Sequence, residues 1–308
     1  MKLSRNAIAD TLAAKTAPNF ADPKTHQAIL AGRAALAKGY LGKEYAHLIA
    51  GRHLLAGPSV GTYVSVNPND TRMTIGRFQH FDPVQMPLDH LLPMMRKEMR
   101  TRYHHTTPEE MIDALVSIHE LARERFWLLV AAKQYETGQS LAEAYWETDE
   151  EVDFPLAHAY YLQEFWNAGQ VMPTADICGQ FNGMRLVPHG IFATISPFNF
   201  PGAIGMRMNT LALAGMNPVI EKSSDKSSLC GHLMMSIIAE GLARAGIDPS
   251  MLVGFAPGPG GTMADALLSS SDVAGFSFTG SSDVYETIHR KHWELRRHGW
   301  GGKMRLAE

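Results

Sequence analysis

From Gly190 onward the chain repeats one unit: a short apolar run, a polar turn, then a stretch of helical spacing. Ile191-Phe192-Ala193-Thr194-Ile195 leads into a helix-compatible segment reaching Ala214, and Pro218-Val219-Ile220-Glu221-Lys222 into Ser227–Ala245, which Gly246 stops. Met251-Leu252-Val253-Gly254-Phe255 precedes a short helix, Gly261–Leu268, and Ala274-Gly275-Phe276-Ser277-Phe278 precedes one from Ser282 to about Leu295. Strands that are apolar on consecutive positions need cover on both faces, and helices between them impose parallel pairing with right-handed crossovers. This predicts an α/β fold with a Rossmann-like parallel sheet.

Ligands of such a sheet bind beyond the carboxyl ends of the strands, so the turns carry the functional information. They read Ser196-Pro197-Phe198-Asn199-Phe200-Pro201, Lys222-Ser223-Ser224-Asp225, Ala256-Pro257-Gly258-Pro259-Gly260-Gly261 and Thr279-Gly280-Ser281-Ser282. An ammonium, a carboxylate, glycine-freed amides and hydroxyls at a helix start suit a polyanionic nucleotide, although turns are polar in any case. Neither GxGxxG nor GxxxxGK[ST] occurs, which disfavours an ordinary dinucleotide fingerprint and a P-loop.

Upstream, helical spacing runs from Thr25 to Gly39, and Gly51, Gly57-Pro58, Gly61 and Pro68-Asn69 break Tyr45–Gln79 into pieces suited to hairpins. Thr107-Pro108-Glu109-Glu110 is a capping box. It opens a long amphipathic helix expected to end near Gly138. A second helix is expected over Leu141–Trp166, its aromatics Tyr145, Trp146, Phe154, Tyr160, Tyr161, Phe165 and Trp166 read as core packing instead of a ligand cage. The basic run His289, Arg290, Lys291, His292, Arg296, Arg297 and His298 reads as a solvated helix face.

With 28 Lys+Arg against 31 Asp+Glu, the 308-residue chain has no basic field to draw nucleic acid, and no apolar run approaches a membrane span. The two cysteines, Cys178 and Cys230, form no CxxC, and the pairs His104-His105 and His289/His292 lack a third ligand at fixed spacing. Neither a disulfide framework nor a metal site is expected. The leader, with Lys2, Arg5 and Lys15 interrupted by Asp10, fits a cytoplasmic protein, with the mitochondrial matrix as the alternative.

Four blocks in order resemble the aldehyde dehydrogenase superfamily: Ile195 to Pro201, Val219 to Asp225, Pro257-Gly258, and Phe276 to Ser281. Glu136-Thr137-Gly138-Gln139 and Glu151-Val152-Asp153-Phe154 resemble two further family segments, extending the likeness back to about Val64. Ser196-Pro197-Phe198-Asn199-Phe200 and the stretch from Ala46 to Pro68 are most similar to the pyrroline-carboxylate branch, which oxidises L-glutamate γ-semialdehyde in proline breakdown. That family's cofactor domain lacks GxGxxG, so the missing fingerprint is no objection.

The resemblance implies NAD as cofactor, a small aldehyde as substrate and a homo-oligomer for the full-length family member, with no nucleic-acid or membrane partner. It implies that Asn199 serves the oxyanion hole, Lys222 binds the adenosine ribose as a flexible point charge beside Ser224 and Asp225, and Gly258 lets backbone approach the adenine. Gly280, Ser281, Ser282 and Asp283 would receive the pyrophosphate with Val284 packed beneath, while Ile195, Ser196 and Phe198 line the nicotinamide end. It further implies a helical extension over residues 1–44 and a cofactor domain over 45–308, with an oligomerisation arm at about 167–189.

The family's reaction needs a cysteine thiolate to attack the aldehyde, hydride transfer to NAD⁺ and glutamate-assisted hydrolysis of the thioester. Glu308 resembles that glutamate. Cys178 lies in the arm-like segment and Cys230 on an apolar helix face, so neither is expected to be the nucleophile, and the chain is expected to lack the catalytic domain and to be inactive alone. The alternative expectation is a non-catalytic module that binds NAD or pairs with intact subunits.

Overall fold

A computed structural model describes residues 15, 16, 18–169, 187–297 and 305–307. The first helix, α1 (Pro23–Gly39), starts where the Asp22 side chain accepts the Thr25 amide and Pro23 takes the first turn. The expected hairpin region resolves into β1 (Lys43–Tyr45), β2 (His47–Ile49), β3 (Arg52–Leu54), β4 (Thr62–Asn67) and β5 (Asp70–Gln79). β4 and β5 pair antiparallel across Pro68-Asn69, and β1 joins β5 in parallel to complete a small three-stranded sheet.

Next comes α2 (Leu88–Tyr103), a helix not anticipated in the sequence. Its flanking Pro87 offers no side-chain cap and Pro93 lies within it, so start and stop signals are missing, yet Leu88, Leu91, Leu92, Met95 and Met99 are buried at helical spacing. The capping box at Thr107 and Glu110 forms as expected. The single long helix does not. It divides at Arg125 (φ -102, ψ 14) into α3 (Pro108–Glu124) and α4 (Phe126–Glu136). No glycine or proline marks that break, and the apolar period continues across it.

α5 (Leu141–Gly169) opens on a second reciprocal cap between Ser140 and Glu143. Phe154 and Tyr160 pack against the core and Tyr145 meets Phe126 at 5.1 Å between ring centroids. Trp146, Tyr161 and Phe165 are exposed, contrary to the expectation of core packing, and the Trp166 side chain lies outside the described residues. So do Cys178 and most of the arm-like segment.

The alternation after Gly190 is observed as β6 (Ile191–Ile195), α6 (Pro201–Ala214), β7 (Val219–Lys222), α7 (Ser228–Arg244), β8 (Val253–Phe255), α8 (Thr262–Leu268), β9 (Val273–Phe278) and α9 (Ser282–Arg297). β10 (Arg305–Ala307) adds a parallel edge beside β9. Among the described residues the large sheet has seven strands in the order β10-β9-β6-β7-β8-β2-β3. The first five run parallel, as the α/β reading requires, and the β2–β3 hairpin extends the other edge antiparallel through Leu48 and Phe255.

Both faces are covered. Val219 points into a core shared with α3, α4, α5, α6 and α7, whereas its neighbour Ile220 points into a second core with α2, α8 and α9. No helix among the described residues is long and apolar enough to cross a membrane.

Candidate cofactor cleft

The strand order reverses at β6: the chain steps outward through β7 and β8, then β9 returns to β6's other side. Connections leave β6 and β9 in opposite directions there, which opens a crevice at their carboxyl ends. Register brings the strand ends level, with Ile195 beside both Lys222 and Phe278. The result is a cleft of about 640 Å³ whose walls come from the turns after β6, β7, β8 and β9, from α8 and from α9.

Ile195, Ser196, Phe198 and Asn199 line one end of this cleft, and Lys222, Ser224 and Asp225 line its middle. Gly280, Ser281 and Val284 complete the α9 side. Ten of the residues anticipated from sequence therefore converge on one cavity. Ser282 and Asp283 form the exposed first turn of α9, outside the cleft wall. Glu308 lies outside the described residues.

Gly258 stands beside the cleft and not in its wall. Its amide donates to the Ser223 carbonyl (3.3 Å) and it does not line the cleft; Gly260 and Gly261 do. Gly261 has φ +108, and a Cβ added there would meet no atom within 4 Å, so bare backbone faces open space. In the run Gly258-Pro259-Gly260-Gly261 sequence alone cannot tell which glycine faces a ligand.

Lys222 also departs from expectation. Far from a flexible surface charge, it is 5% exposed, yet among the described residues its ammonium makes no hydrogen bond or ion pair. Burial lowers its pKa, with Asp225 and Glu221 pulling the other way. The residue is buried while it lines the cleft, so a charged group on a largely desolvated stem is offered to whatever fills the cavity.

Beneath Lys222 lies a group the sequence reading passed over. Glu221 is fully buried and accepts from Thr194 Oγ1 (2.7 Å), Asn209 Nδ2 (2.8 Å), Ser223 Oγ (3.3 Å) and the Ser196 hydroxyl. Burial raises its pKa and those four donors oppose the rise. The network ties the end of β6 to the end of β7. A charged residue inside an otherwise apolar strand was the available signal.

Helix starts differ in how they are satisfied. Glu147 accepts from the Gly202 amide (2.8 Å) at the start of α6, and Glu136 accepts from the amides of Leu229 (2.9 Å) and Cys230 (2.8 Å) at the start of α7. Among the described residues no bond from another element reaches the amides of Ser281 and Ser282 at the start of α9, and Gly280 and Ser281 there line the cleft.

Gln139 bridges the two halves of the site. Its Nε2 donates to Glu147 (2.6 Å) and to the Asn199 carbonyl (2.8 Å), fixing the backbone of the turn. The Asn199 side chain is exposed and makes no hydrogen bond among the described residues. Lys226 stands over the Phe198 ring at 4.9 Å from its centroid, a cation–π contact at the cleft mouth.

Residues 56–298 match the family model described as the aldehyde dehydrogenase family. The chain belongs to the aldehyde dehydrogenase family. It is similar to the 1-pyrroline-5-carboxylate dehydrogenases of Bacillus cereus and Bacillus thuringiensis, each 28% identical over 276 residues, 88% of this chain and 51% of theirs. The chain spans about half the length of the curated relatives it matches.

Among solved aldehyde dehydrogenase structures, a Thermus thermophilus 1-pyrroline-5-carboxylate dehydrogenase superposes with a TM-score of 0.82 at 24% identity, covering 95% of this chain and 54% of that one. A Thermus structure with bound NAD gives the same values. The Mycobacterium tuberculosis delta-pyrroline-5-carboxylate dehydrogenase gives 0.77 at 19% identity over 96% of this chain and 52% of that one. At these identities the likeness establishes the shared fold.

Proposed function

We propose that this chain is the cofactor-binding part of a NAD-dependent aldehyde dehydrogenase acting on L-glutamate γ-semialdehyde, the open form of 1-pyrroline-5-carboxylate. The observation that carries the reading is Lys222, largely buried and without an ion pair among the described residues, on the wall of a cleft of about 640 Å³ at the switch point of the sheet. The names of the Bacillus relatives support the substrate.

The cleft suits NAD. Lys222 and Asp225 hold the hydroxyls of the adenosine ribose, and the Asp225 carboxylate disfavours a 2′-phosphate, hence NAD over NADP. The open start of α9 takes the pyrophosphate on the amides of Gly280 and Ser281, and Val284 packs beneath. Ser224 lies beside the ribose, and Ile195, Ser196 and Phe198 line the path to the other end. When bound, NAD⁺ supplies the hydride acceptor.

Asn199, its carbonyl held by Gln139, presents a free amide to the oxygen of the aldehyde as charge develops there. Such a donor contributes ~10²–10³ in rate. Cys230 is not the nucleophile: it is buried, and burial followed by the nearby Glu136 carboxylate pushes its thiol well above the usual range. This favours a second reading, in which the chain binds NAD or pairs with intact subunits without turning over. Residues 45–308 form the cofactor domain in either case, with 1–44 as an extension, in a cytoplasmic homo-oligomer.

Calorimetric titration with NAD⁺ tests the assignment. Wild-type chain binds, and Lys222→Ala weakens binding about tenfold or more, the effect of ~1.5–3 kcal/mol for a charged hydrogen bond. Equal affinity in the variant removes Lys222 from the site; no binding by the wild type removes the reading. NADH formation from glutamate semialdehyde by the purified chain separates the two readings, since the second predicts none.

A further inference from the structure

Between α8 and α9 the cleft is lined mostly by apolar side chains. Ala264 and Leu268 face it from α8, Val284 and Ile288 from α9. Thr287 also lines it, but its hydroxyl donates to the Asp283 carbonyl of its own helix (2.9 Å), so it offers little more than a methyl group. The polar side chains left there are Asp265 and Lys291, which pair from α8 to α9.

Lys291 engages Asp265 Oδ1, and among the described residues Oδ2 has no partner. As a mere tie between two helices this half-exposed pair contributes little, since solvent-exposed ion pairs are worth ~0–1 kcal/mol. Its position says more. A flat ring seated among the apolar side chains of α8 and α9 has, in the same wall, a carboxylate oxygen that can only accept. A carboxylate in that wall favours a ring whose edge donates.

We infer that Asp265 is a specificity-determining residue for the base of the cofactor: it accepts a hydrogen bond from the exocyclic amino group of an aminopurine, with Lys291 holding the carboxylate in place. The inference rests on the proposal that this cleft takes NAD, and extends it from ribose and pyrophosphate to the base edge. A base carrying a carbonyl at that position sets oxygen against oxygen and is disfavoured.

The test compares NAD⁺ with nicotinamide hypoxanthine dinucleotide, which differs in that amino group and in the adjoining ring-nitrogen proton, by calorimetry on the wild-type chain and on Asp265→Ala and Lys291→Met. The wild type prefers NAD⁺ about tenfold or more, as expected when a site's acceptor loses its donor. Asp265→Ala brings the two within about twofold, chiefly by losing NAD⁺ affinity. Lys291→Met lowers the preference partway.

A helix tie alone would shift both dinucleotides together and leave their ratio unchanged in the variants, which overturns the inference. Equal affinities in the wild type, or loss of both ligands in Asp265→Ala, overturn it too. If the wild type binds neither dinucleotide, the cofactor reading itself has failed; if it binds both equally, that reading stands and only the base assignment falls.

Discussion

Lys133 and Glu151 are paired in the interior, 1% and 0% exposed, with Thr148 Oγ1 taking a second Lys133 bond at 2.8 Å. Gly202, at the start of α6, lies against them: a Cβ there would come within 2.3 Å of Glu151 Oε2 and 2.7 Å of Lys133 Cε. Gly202→Ala must therefore disturb a desolvated ion pair, and removing a partner from such a pair costs ~3–5 kcal/mol. Urea unfolding should show a loss of about 3 kcal/mol, less if the helix start shifts to make room. His47 yields a pH prediction. Burial lowers it to about 4, and as a neutral ring its Nε2–H donates to the Gln79 carbonyl at 2.9 Å. An unfolded histidine titrates near 6.5, so between those values the unfolded state binds the extra proton and stability falls as pH falls. Wild-type stability relative to His47→Gln should rise from pH 4 to about pH 6.5 and then stay level. A difference independent of pH would mean that burial does not shift the ring's titration, and one that falls as pH rises would mean the ring is charged in the fold. At this scale most residues lining the cleft were legible because turn chemistry after a strand is local. The buried network of Glu221 and the place of Gly260 and Gly261 in the wall were not, because burial and loop path are set by distant parts of the chain.

Gly32 of α1 lies against Trp127 of α4 so closely that a Cβ would stand 2.3 Å from the Trp127 carbonyl oxygen. The contact is backbone against backbone, and a side chain there separates the helices. Gly32→Ala should lower stability by ~1–3 kcal/mol and speed proteolysis within α1, with the sheet less affected. Cleavage unchanged from wild type would show that α1 is held elsewhere. Elements with local start signals, such as α3 at Thr107 and α7 before Gly246, were legible to within a residue or two. The break at Arg125 was hidden because no glycine or proline marks it and the contact made there, with Glu240 of α7, is remote in sequence. α2 escaped notice because its prolines read as loop, although its buried face is regular. The β2–β3 hairpin was visible as turns, but its place on the edge of the large sheet depends on a single bridge from Leu48 to Phe255.

Over the whole molecule, apolar side chains remain on the outside of α5 and α6 and just before β6: Tyr161 is 65% exposed, Leu211 56% and Val187 70%. Exposed apolar surface of this kind drives association. Sedimentation velocity should show self-association that increases with concentration and declines in a Tyr161→Glu, Leu211→Glu variant; a monodisperse monomer at high concentration would contradict it. The α/β architecture was legible because two-faced apolar strands admit few arrangements, and the cleft follows from strand order. The claim that unites these scales is that the four turns and the part of the cleft between α8 and α9 form one dinucleotide site. Hydrogen–deuterium exchange with and without NAD⁺ tests it most directly. Protection should appear together in the turns at 196–199, 222–226 and 279–284 and in α8, and be absent from the β4–β5 hairpin; unchanged exchange throughout, or protection confined to other segments, would contradict the account.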